Sequence, residues 1–115
     1  MTPADRRRLL HIMAHIERIE RYTAEGRAAF EAEPRTQDAV LHCLTVVGEA
    51  AGALNDDTYR HLTSLPPKLP KGQRNIIVHE YWRVDLGLVW GTVTRDLPPL
   101  RLEIEQLLAD WPNRQ

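Results

Sequence analysis

Apolar residues recur at steps of three and four along almost the whole of the 115-residue chain. This is the period of one face of an α-helix. Three stretches carry the pattern: residues 9–19, residues 40–54 and residues 86–111. Strict alternation of apolar and polar residues, the pattern of a half-buried strand, is not sustained anywhere. The sequence therefore predicts an all-α fold, an up-and-down bundle of four to five main helices, in a single domain covering residues 1–115.

Helix boundaries are indicated by capping residues and by prolines. Thr2 has the character of an N-cap, and the first helix is expected to run to the neighbourhood of Gly26. Pro98 and Pro99 interrupt the last apolar stripe, and two adjacent prolines should kink or break a helix. Asp96 is placed to cap a new helix at that point. We therefore expect the C-terminal stripe to be divided into two helices.

Composition limits the classes of protein to which the chain can belong. The apolar fraction of 43% and the charged fraction of 27% are typical of a globular domain. The one cysteine, Cys43, excludes an internal disulfide, and we expect it to be a small core residue. No apolar run is long enough to span a membrane, and the N-terminal residues lack the apolar stretch of a signal peptide. A cytoplasmic protein without membrane contact is expected.

The chain has more large aromatic residues than the narrow core of one small helical bundle can hold. The set is Trp82, Trp90, Trp111, Tyr22 and Phe30. Some of them are expected to line the interface of a homodimer. The alternative is a five-helix core that holds most of them.

Basic charge is concentrated in one short stretch, although the formal net charge of the chain is only −1. Residues 58–83 contain five basic and one acidic residue. A local positive patch suits one phosphate-bearing ligand better than extended tracking along a duplex. The alternative is a solvated loop that happens to carry lysines.

The most informative residues lie in a predicted helix over residues 73–83. His79 has an imidazole that can take or give a proton near neutral pH. Arg74 has a planar guanidinium that matches phosphate oxygens and can stabilise charge in a transition state. Asn75 can donate to a phosphate or orient His79, and Tyr81 offers a ring on which a base can stack. This set suits metal-free phosphodiester chemistry, although an ordinary surface helix would also accommodate these residues.

Spacing alone does not bring the two main groups together. On an ideal helix, Arg74 and His79 point about 140° apart. They can converge if Arg74 lies in an irregular first turn, or if a symmetry mate supplies the second group.

The stretch Arg74–Tyr81 resembles the Arg-x4-His-x-Tyr signature of HepT-like toxins, which belong to the HEPN superfamily. Residues 37–40 and 47–51 resemble the third helix of the same family, and residues 84–90 and 96–100 resemble its C-terminal half. Tyr22, Thr23 and Phe30 also fit the family. The resemblance implies an all-α homodimer that acts as a metal-independent endoribonuclease, with paired Arg and His residues in a cleft at the dimer interface. It also implies a cognate MntA-like nucleotidyltransferase as antitoxin, which blocks the nuclease by transferring AMP to the tyrosine of the motif.

Transferred to this sequence, the resemblance makes Arg74 and His79 the catalytic pair acting on an RNA substrate. Asn75 and Tyr81 become supporting, RNA-binding residues, and Tyr81 also becomes the AMPylation site. No metal and no cofactor are implied. Glu80 stands where the family commonly has glycine, which places a carboxylate beside the proposed phosphate site. The alternative function is therefore a non-catalytic nucleotide-binding helical module that docks a nucleotidyltransferase partner.

Three further features allow weaker predictions. His11 and His15 are four residues apart on the first predicted helix, a spacing that can hold a metal, but no other ligand completes a set, so a solvated or partner-facing stripe is expected. Glu49 lies in an otherwise apolar helix and is expected to pair with an arginine across the dimer interface or near residues 74–81, unless it is simply exposed. The run of arginines over residues 6–8 is expected to be a solvated first turn, with binding of RNA or an acidic partner as the alternative.

Overall fold

The structure is a computed structural model that describes residues 1–65 and 85–111. Within these two ranges the chain is helical and contains no strand, which confirms the predicted all-α class. The elements, in chain order, are α1 (Pro3–Tyr22), α2 (Arg27–Ala32), α3 (Pro34–Gly52), α4 (Asp56–Arg60), α5 (Leu86–Gly91), a π-helical turn (Thr92–Asp96) and α6 (Leu97–Ala109). The homodimer stays a prediction.

The predicted start of α1 is confirmed, but its end lies earlier than the sequence indicated. The Thr2 hydroxyl oxygen accepts a 3.1 Å hydrogen bond from the backbone N–H of Asp5. The helix ends at Tyr22, and Thr23 donates its hydroxyl hydrogen to the carbonyl oxygen of Ile19 at 2.7 Å. Gly26, with φ 96°, is the N-cap of α2. The positive φ turns the chain between the two helices, which is why the first helical run does not extend to Gly26.

The core forms mainly where α1 packs against α3, and α6 also packs on α1. The apolar stripe of residues 9–19 is fully buried at Leu9, Ile12, Ile16 and Ile19, as its spacing predicts. Burial of each such side chain contributes roughly 1.5–3 kcal/mol to the free energy of unfolding. The predicted stripe of residues 40–54 is buried at Val40, Val47 and Ala51 in α3 and at Leu54 just after it, while Leu44 packs at its edge.

The C-terminal stripe is divided into two α-helices, as expected, but a π-helical turn rather than non-helical residues joins them. The turn covers Thr92–Asp96 and lies shortly before Pro98 and Pro99. Prolines lack the backbone N–H and crowd the preceding turn, and a widened turn accommodates them without loss of helical conformation. Val89 is fully buried in α5, whereas Trp90 is only partly buried. Asp96 occupies the N-cap position of α6 but makes no side-chain capping bond.

The aromatic residues divide between the core and the surface. Phe30 is buried and contacts Trp90, with ring centroids 5.6 Å apart. Tyr22 keeps 42% of its surface exposed, Trp111 is half-buried, and Trp82 lies outside the described residues. No helix in the described ranges is both long and apolar enough to cross a membrane.

Candidate functional site

The predicted site residues all lie outside the described residues. Arg74, Asn75, His79 and Tyr81 belong to residues 66–84, which we call the motif segment. Their assignment therefore stays a prediction. The structure does describe how the chain is held at the two ends of this segment, and both ends are fixed by acidic side chains.

The chain that enters the motif segment is tied to α6 by Glu103. One carboxylate oxygen, Oε2, accepts the backbone N–H of Thr63 at 2.9 Å and also the Thr63 hydroxyl. The other, Oε1, accepts the backbone N–H of Ser64 at 2.9 Å. These bonds join residues about forty positions apart, so they fix where the motif segment leaves the bundle.

The ionisation of Glu103 reflects this arrangement. Burial alone would raise the pKa of its carboxyl group, but the hydrogen bonds from Ser64 and Thr63 favour the charged form and together hold the pKa below its ordinary value. Just before the anchored pair, Leu62 is buried in the core, and the N–H of Leu65 donates to the carbonyl oxygen of Leu62 at 3.1 Å. The entry is thus held by packing and by charge-assisted hydrogen bonds.

The chain that leaves the motif segment begins α5 at Asp85. The Asp85 carboxylate accepts the backbone N–H of Gly87 at 2.8 Å, which satisfies one of the free donors at the start of the helix. A Cβ added at Gly87 would lie 3.0 Å from a guanidinium nitrogen of Arg27, so the first turn of α5 sits against the start of α2. The exit is therefore positioned by α2, and the entry by α6.

The expected solvated position is confirmed for His11 on α1 but not for His15. His11 is exposed, in agreement with a solvated position, whereas His15 is buried with 6% of its surface exposed. His15 Nδ1 lies 2.9 Å from the carbonyl oxygen of His11, which only accepts, so Nδ1 carries the hydrogen. The ring of His42 on α3 lies 6.5 Å from that of His15. Among the described residues, no group of three or more His, Cys, Asp or Glu side chains could hold a metal ion.

Cys43 is a core residue, as predicted. It is 2% exposed, and burial raises the pKa of its thiol, although Arg18 and Arg21 act in the opposite direction. A thiol whose pKa is raised contains little thiolate at neutral pH and is a poor nucleophile. Cys43 is thus unsuited to covalent catalysis.

The pairing expected of Glu49 is not present within residues 1–65 and 85–111. Its side chain is exposed, and no arginine in these ranges forms an ion pair with it. The pairing expected across a dimer interface or near the motif lies outside the described residues, so it stays a prediction.

Sequence reasoning missed the anchoring role of Glu103 and the burial of Asp5. Asp5 is 0% exposed and accepts the Thr58 hydroxyl at 2.6 Å and the Asn55 N–H at 3.2 Å. Thr2 followed three residues later by Asp5 is a capping-box-like pattern that could have drawn attention to Asp5. Nothing local marks Glu103, because its partners lie on a different part of the chain.

Comparison with known proteins adds a finding that covers the undescribed residues as well. The profile of the family described as Ribonuclease HepT-like matches residues 12–107, a range that contains the whole motif segment. The chain is 34% identical over 95 residues to a Thermococcus cleftensis protein named "Probable ribonuclease HepT", covering 80% of this chain and 84% of that protein.

A second relative is longer than this chain. A Methanocaldococcus jannaschii protein named "Gamma-glutamylcyclotransferase and putative RNase" is 34% identical over 103 residues, which are 89% of this chain and 46% of that protein. The chain thus spans about half the length of that relative. No solved structure matches the chain. Because the family profile and the Thermococcus relative both cover most of the sequence, the chain belongs to the Ribonuclease HepT-like family.

Proposed function

We propose that the protein is a metal-independent endoribonuclease and the toxin of a toxin–antitoxin pair. The observation that carries the proposal is the family match over residues 12–107, which includes an Arg-x4-His-x-Tyr motif at Arg74, His79 and Tyr81. The name of the Thermococcus relative, a probable ribonuclease, supports the same reaction class.

The proposed reaction is attack of a ribose 2′-hydroxyl oxygen on the adjacent phosphorus. A bond from the 2′-oxygen to phosphorus forms as the bond from phosphorus to the 5′-oxygen breaks, which leaves a 2′,3′-cyclic phosphate and a free 5′-hydroxyl. His79 either removes the proton from the 2′-hydroxyl, while water protonates the leaving 5′-oxygen, or donates the proton to that oxygen, while water takes the other. Arg74 stabilises the negative charge that builds on the phosphoryl oxygens. Asn75 and Tyr81 hold the RNA at the same place.

The two copies of a homodimer would together provide this site. Arg74 and His79 diverge on an ideal helix, and an interface related by a two-fold axis can bring the arginine of one copy to the histidine of the other. The anchors of the motif segment, Glu103 at its entry and Asp85 at its exit, are the described features that would keep the segment in place in each copy.

The activity can be tested with purified protein and RNA in the presence of EDTA. We expect cleavage to continue in EDTA and to be abolished by H79A. The matched control is H61A, which removes an exposed histidine whose Nδ1 lies 2.8 Å from the Asp57 carbonyl oxygen in α4. Equal cleavage by wild type and H79A would contradict the catalytic assignment.

We further propose that an MntA-like nucleotidyltransferase is the antitoxin and that it transfers AMP from ATP to the Tyr81 hydroxyl oxygen, with release of pyrophosphate. Adenylylation would add a bulky anion beside the phosphate-binding residues and exclude RNA by charge repulsion and by volume. Co-expression with such a nucleotidyltransferase should increase the intact mass by one adenylate. The increase should be absent in Y81F, and an unshifted wild-type mass would contradict the modification.

Glu80 favours a second candidate function, a non-catalytic nucleotide-binding helical module that docks the nucleotidyltransferase. Its carboxylate follows His79 directly and would repel RNA phosphates. This candidate predicts nucleotide binding without RNA cleavage by the same sample, whereas the ribonuclease predicts cleavage. The variant E80G, which restores the residue common in the family, should increase cleavage if Glu80 only attenuates the enzyme.

A further inference from the structure

One face of α1 carries positive charge that lies outside the motif segment. The side chains are Arg7, His11, Arg18 and Arg21, and we call them the α1 basic stripe. At about 100° per residue they fall within roughly 80° of the helix circumference. All four are exposed, so the stripe faces away from the core.

The arginines of the stripe are not neutralised within the described part of the chain. No ion pair in residues 1–65 and 85–111 involves Arg7, Arg18 or Arg21, whereas Arg8 pairs with the buried Asp5. The acidic residues of the same helix are engaged elsewhere, since Glu17 lies 3.8 Å from Arg101 and Glu20 also pairs with that arginine. The fold thus directs the carboxylates of Glu17 and Glu20 towards α6 and leaves the guanidinium groups of the stripe facing solvent.

The geometry suits an extended polyanion. Arg7 and Arg21 are separated by about 21 Å along the helix axis, at 1.5 Å per residue. Phosphates along one stacked strand recur at about 3.4 Å, so roughly six nucleotides span the stripe. Tyr22, 42% exposed, lies at its C-terminal end, where a base can stack on the ring.

From this arrangement we propose that the α1 basic stripe binds the phosphates of single-stranded RNA as an accessory site, separate from the motif segment. The identity of the ligand rests on the proposed ribonuclease function. RNA is favoured over an acidic protein because every permanent cation of the stripe is arginine, whose planar fork matches phosphate oxygens, and because an exposed aromatic ring lies beside them.

The test measures binding without cleavage, so it stands even if the proposed reaction is wrong. The probe is a fluorescent 12-nucleotide 2′-O-methyl RNA, which lacks the attacking hydroxyl, and the variant is R7Q/R18Q/R21Q. If all three arginines contact phosphate, the slope of log affinity against log salt concentration should fall in magnitude by about 2, at 0.7 per phosphate contact. Affinity at 0.1 M salt should fall by about 100-fold by the same relation.

The matched control removes the same charge from other faces. The variant R27Q/R60Q/R95Q takes three exposed arginines from α2, α4 and the π-helical turn, and it should keep both the affinity and the salt slope. Equal losses in the two variants would mean that only net charge matters and would overturn the proposal. Unchanged binding by R7Q/R18Q/R21Q would overturn it as well.

Two further measurements separate the alternatives. A polyglutamate peptide of matched charge that binds the stripe while the RNA probe does not would assign the surface to an acidic protein and overturn the RNA proposal. If the protein cleaves RNA, the stripe variant should raise KM for a long RNA and leave cleavage of a dinucleotide unchanged, because a dinucleotide carries one phosphate and cannot reach both sites. Thermal unfolding of each variant establishes that it is folded.

Discussion

The Glu103 carboxylate on α6 accepts a 2.9 Å hydrogen bond from the backbone N–H of Ser64, which lies 39 residues earlier in the chain. Together with the bonds from Thr63, this contact joins the last helix to the entry of the motif segment. A backbone position that would otherwise be set only by loop conformation is thereby fixed to the core bundle.

Removal of this contact should destabilise the protein modestly. E103A leaves the N–H groups of Thr63 and Ser64 without their acceptor, and because Thr63 is exposed, water replaces part of the loss. We expect a decrease of about 1 kcal/mol in the free energy of unfolding, measured by urea denaturation. The control E105A removes an exposed carboxylate that pairs with Arg101, and should cost less because exposed ion pairs contribute little.

The same carboxylate should make stability depend on pH in the acid range. Its pKa in the folded protein lies below the ordinary value of 4.5, so the folded state favours the charged form. The contribution is complete above pH 4.5 and is lost as pH falls through the lower, folded pKa. The stability difference between wild type and E103Q should therefore shrink on acidification from pH 5 and stay constant from pH 6 to 8. A difference that grows towards low pH would contradict this sign.

Asp5 should be the more costly carboxylate to replace. It is fully buried and accepts hydrogen bonds from Asn55 and Thr58, which join the start of α1 to the α3–α4 connection. In D5A these donors lose a buried acceptor, and the expected cost is about 2–4 kcal/mol by urea denaturation. The exposed Asp38 gives the control D38A, which should change stability by less than about 0.5 kcal/mol.

A double-mutant cycle can assign part of that cost to one bond. The coupling between D5A and T58V should be about 1 kcal/mol or more, since both changes remove the same buried hydrogen bond. Additive effects of the two substitutions would show that the Asp5 carboxylate acts through Asn55 and Arg8 instead.

The fold class was predictable because helical periodicity repeats along each long helix. Leu9, Ile12 and Ile16 are all fully buried. A helix with one apolar face is stable only when that face is turned towards the core. The connection within the C-terminal stripe was less predictable. Pro98 and Pro99 indicate a disturbance of the helix before them, but they do not determine whether it is a break or, as found, a π-helical turn over Thr92–Asp96.

Only part of the candidate site was predictable from the sequence. The chemistry proposed for Arg74 and His79 follows from residue type, because the acid–base and charge properties belong to the side chains themselves. The anchoring of the chain that enters the motif segment does not follow, because Glu103 accepts from Thr63 and Ser64, which are about forty residues away in sequence. The absence of an ion pair at Arg21 within the described residues also depends on tertiary structure, since Glu17, one helical turn before it, lies against Arg101 instead.

The turn between α1 and α2 should depend on glycine at one position. Gly26 has φ 96° and ψ 178°, a region essentially restricted to glycine, and an added Cβ would meet no atom within 4 Å. The cost of G26A is therefore backbone strain alone, about 1–3 kcal/mol, seen as a lower Tm. The neighbouring control E25A should leave Tm almost unchanged. A G26A protein as stable as wild type would indicate that the turn adopts another conformation.

A composite site shared by two copies makes a quantitative prediction for mixed dimers. R74A and H79A should each be inactive as homodimers. If the arginine of one copy works with the histidine of its partner, an R74A–H79A heterodimer retains one intact pair, contributed by His79 of the first chain and Arg74 of the second. Random pairing places half of the molecules in heterodimers with one of two sites intact, so co-refolded samples should recover about a quarter of wild-type cleavage.

If both groups come from the same copy, every site in the mixture lacks one of them, and the mixture should stay inactive. Recovery therefore distinguishes a shared site from two independent ones, and inactivity of a mixture that demonstrably contains heterodimers would contradict the shared arrangement.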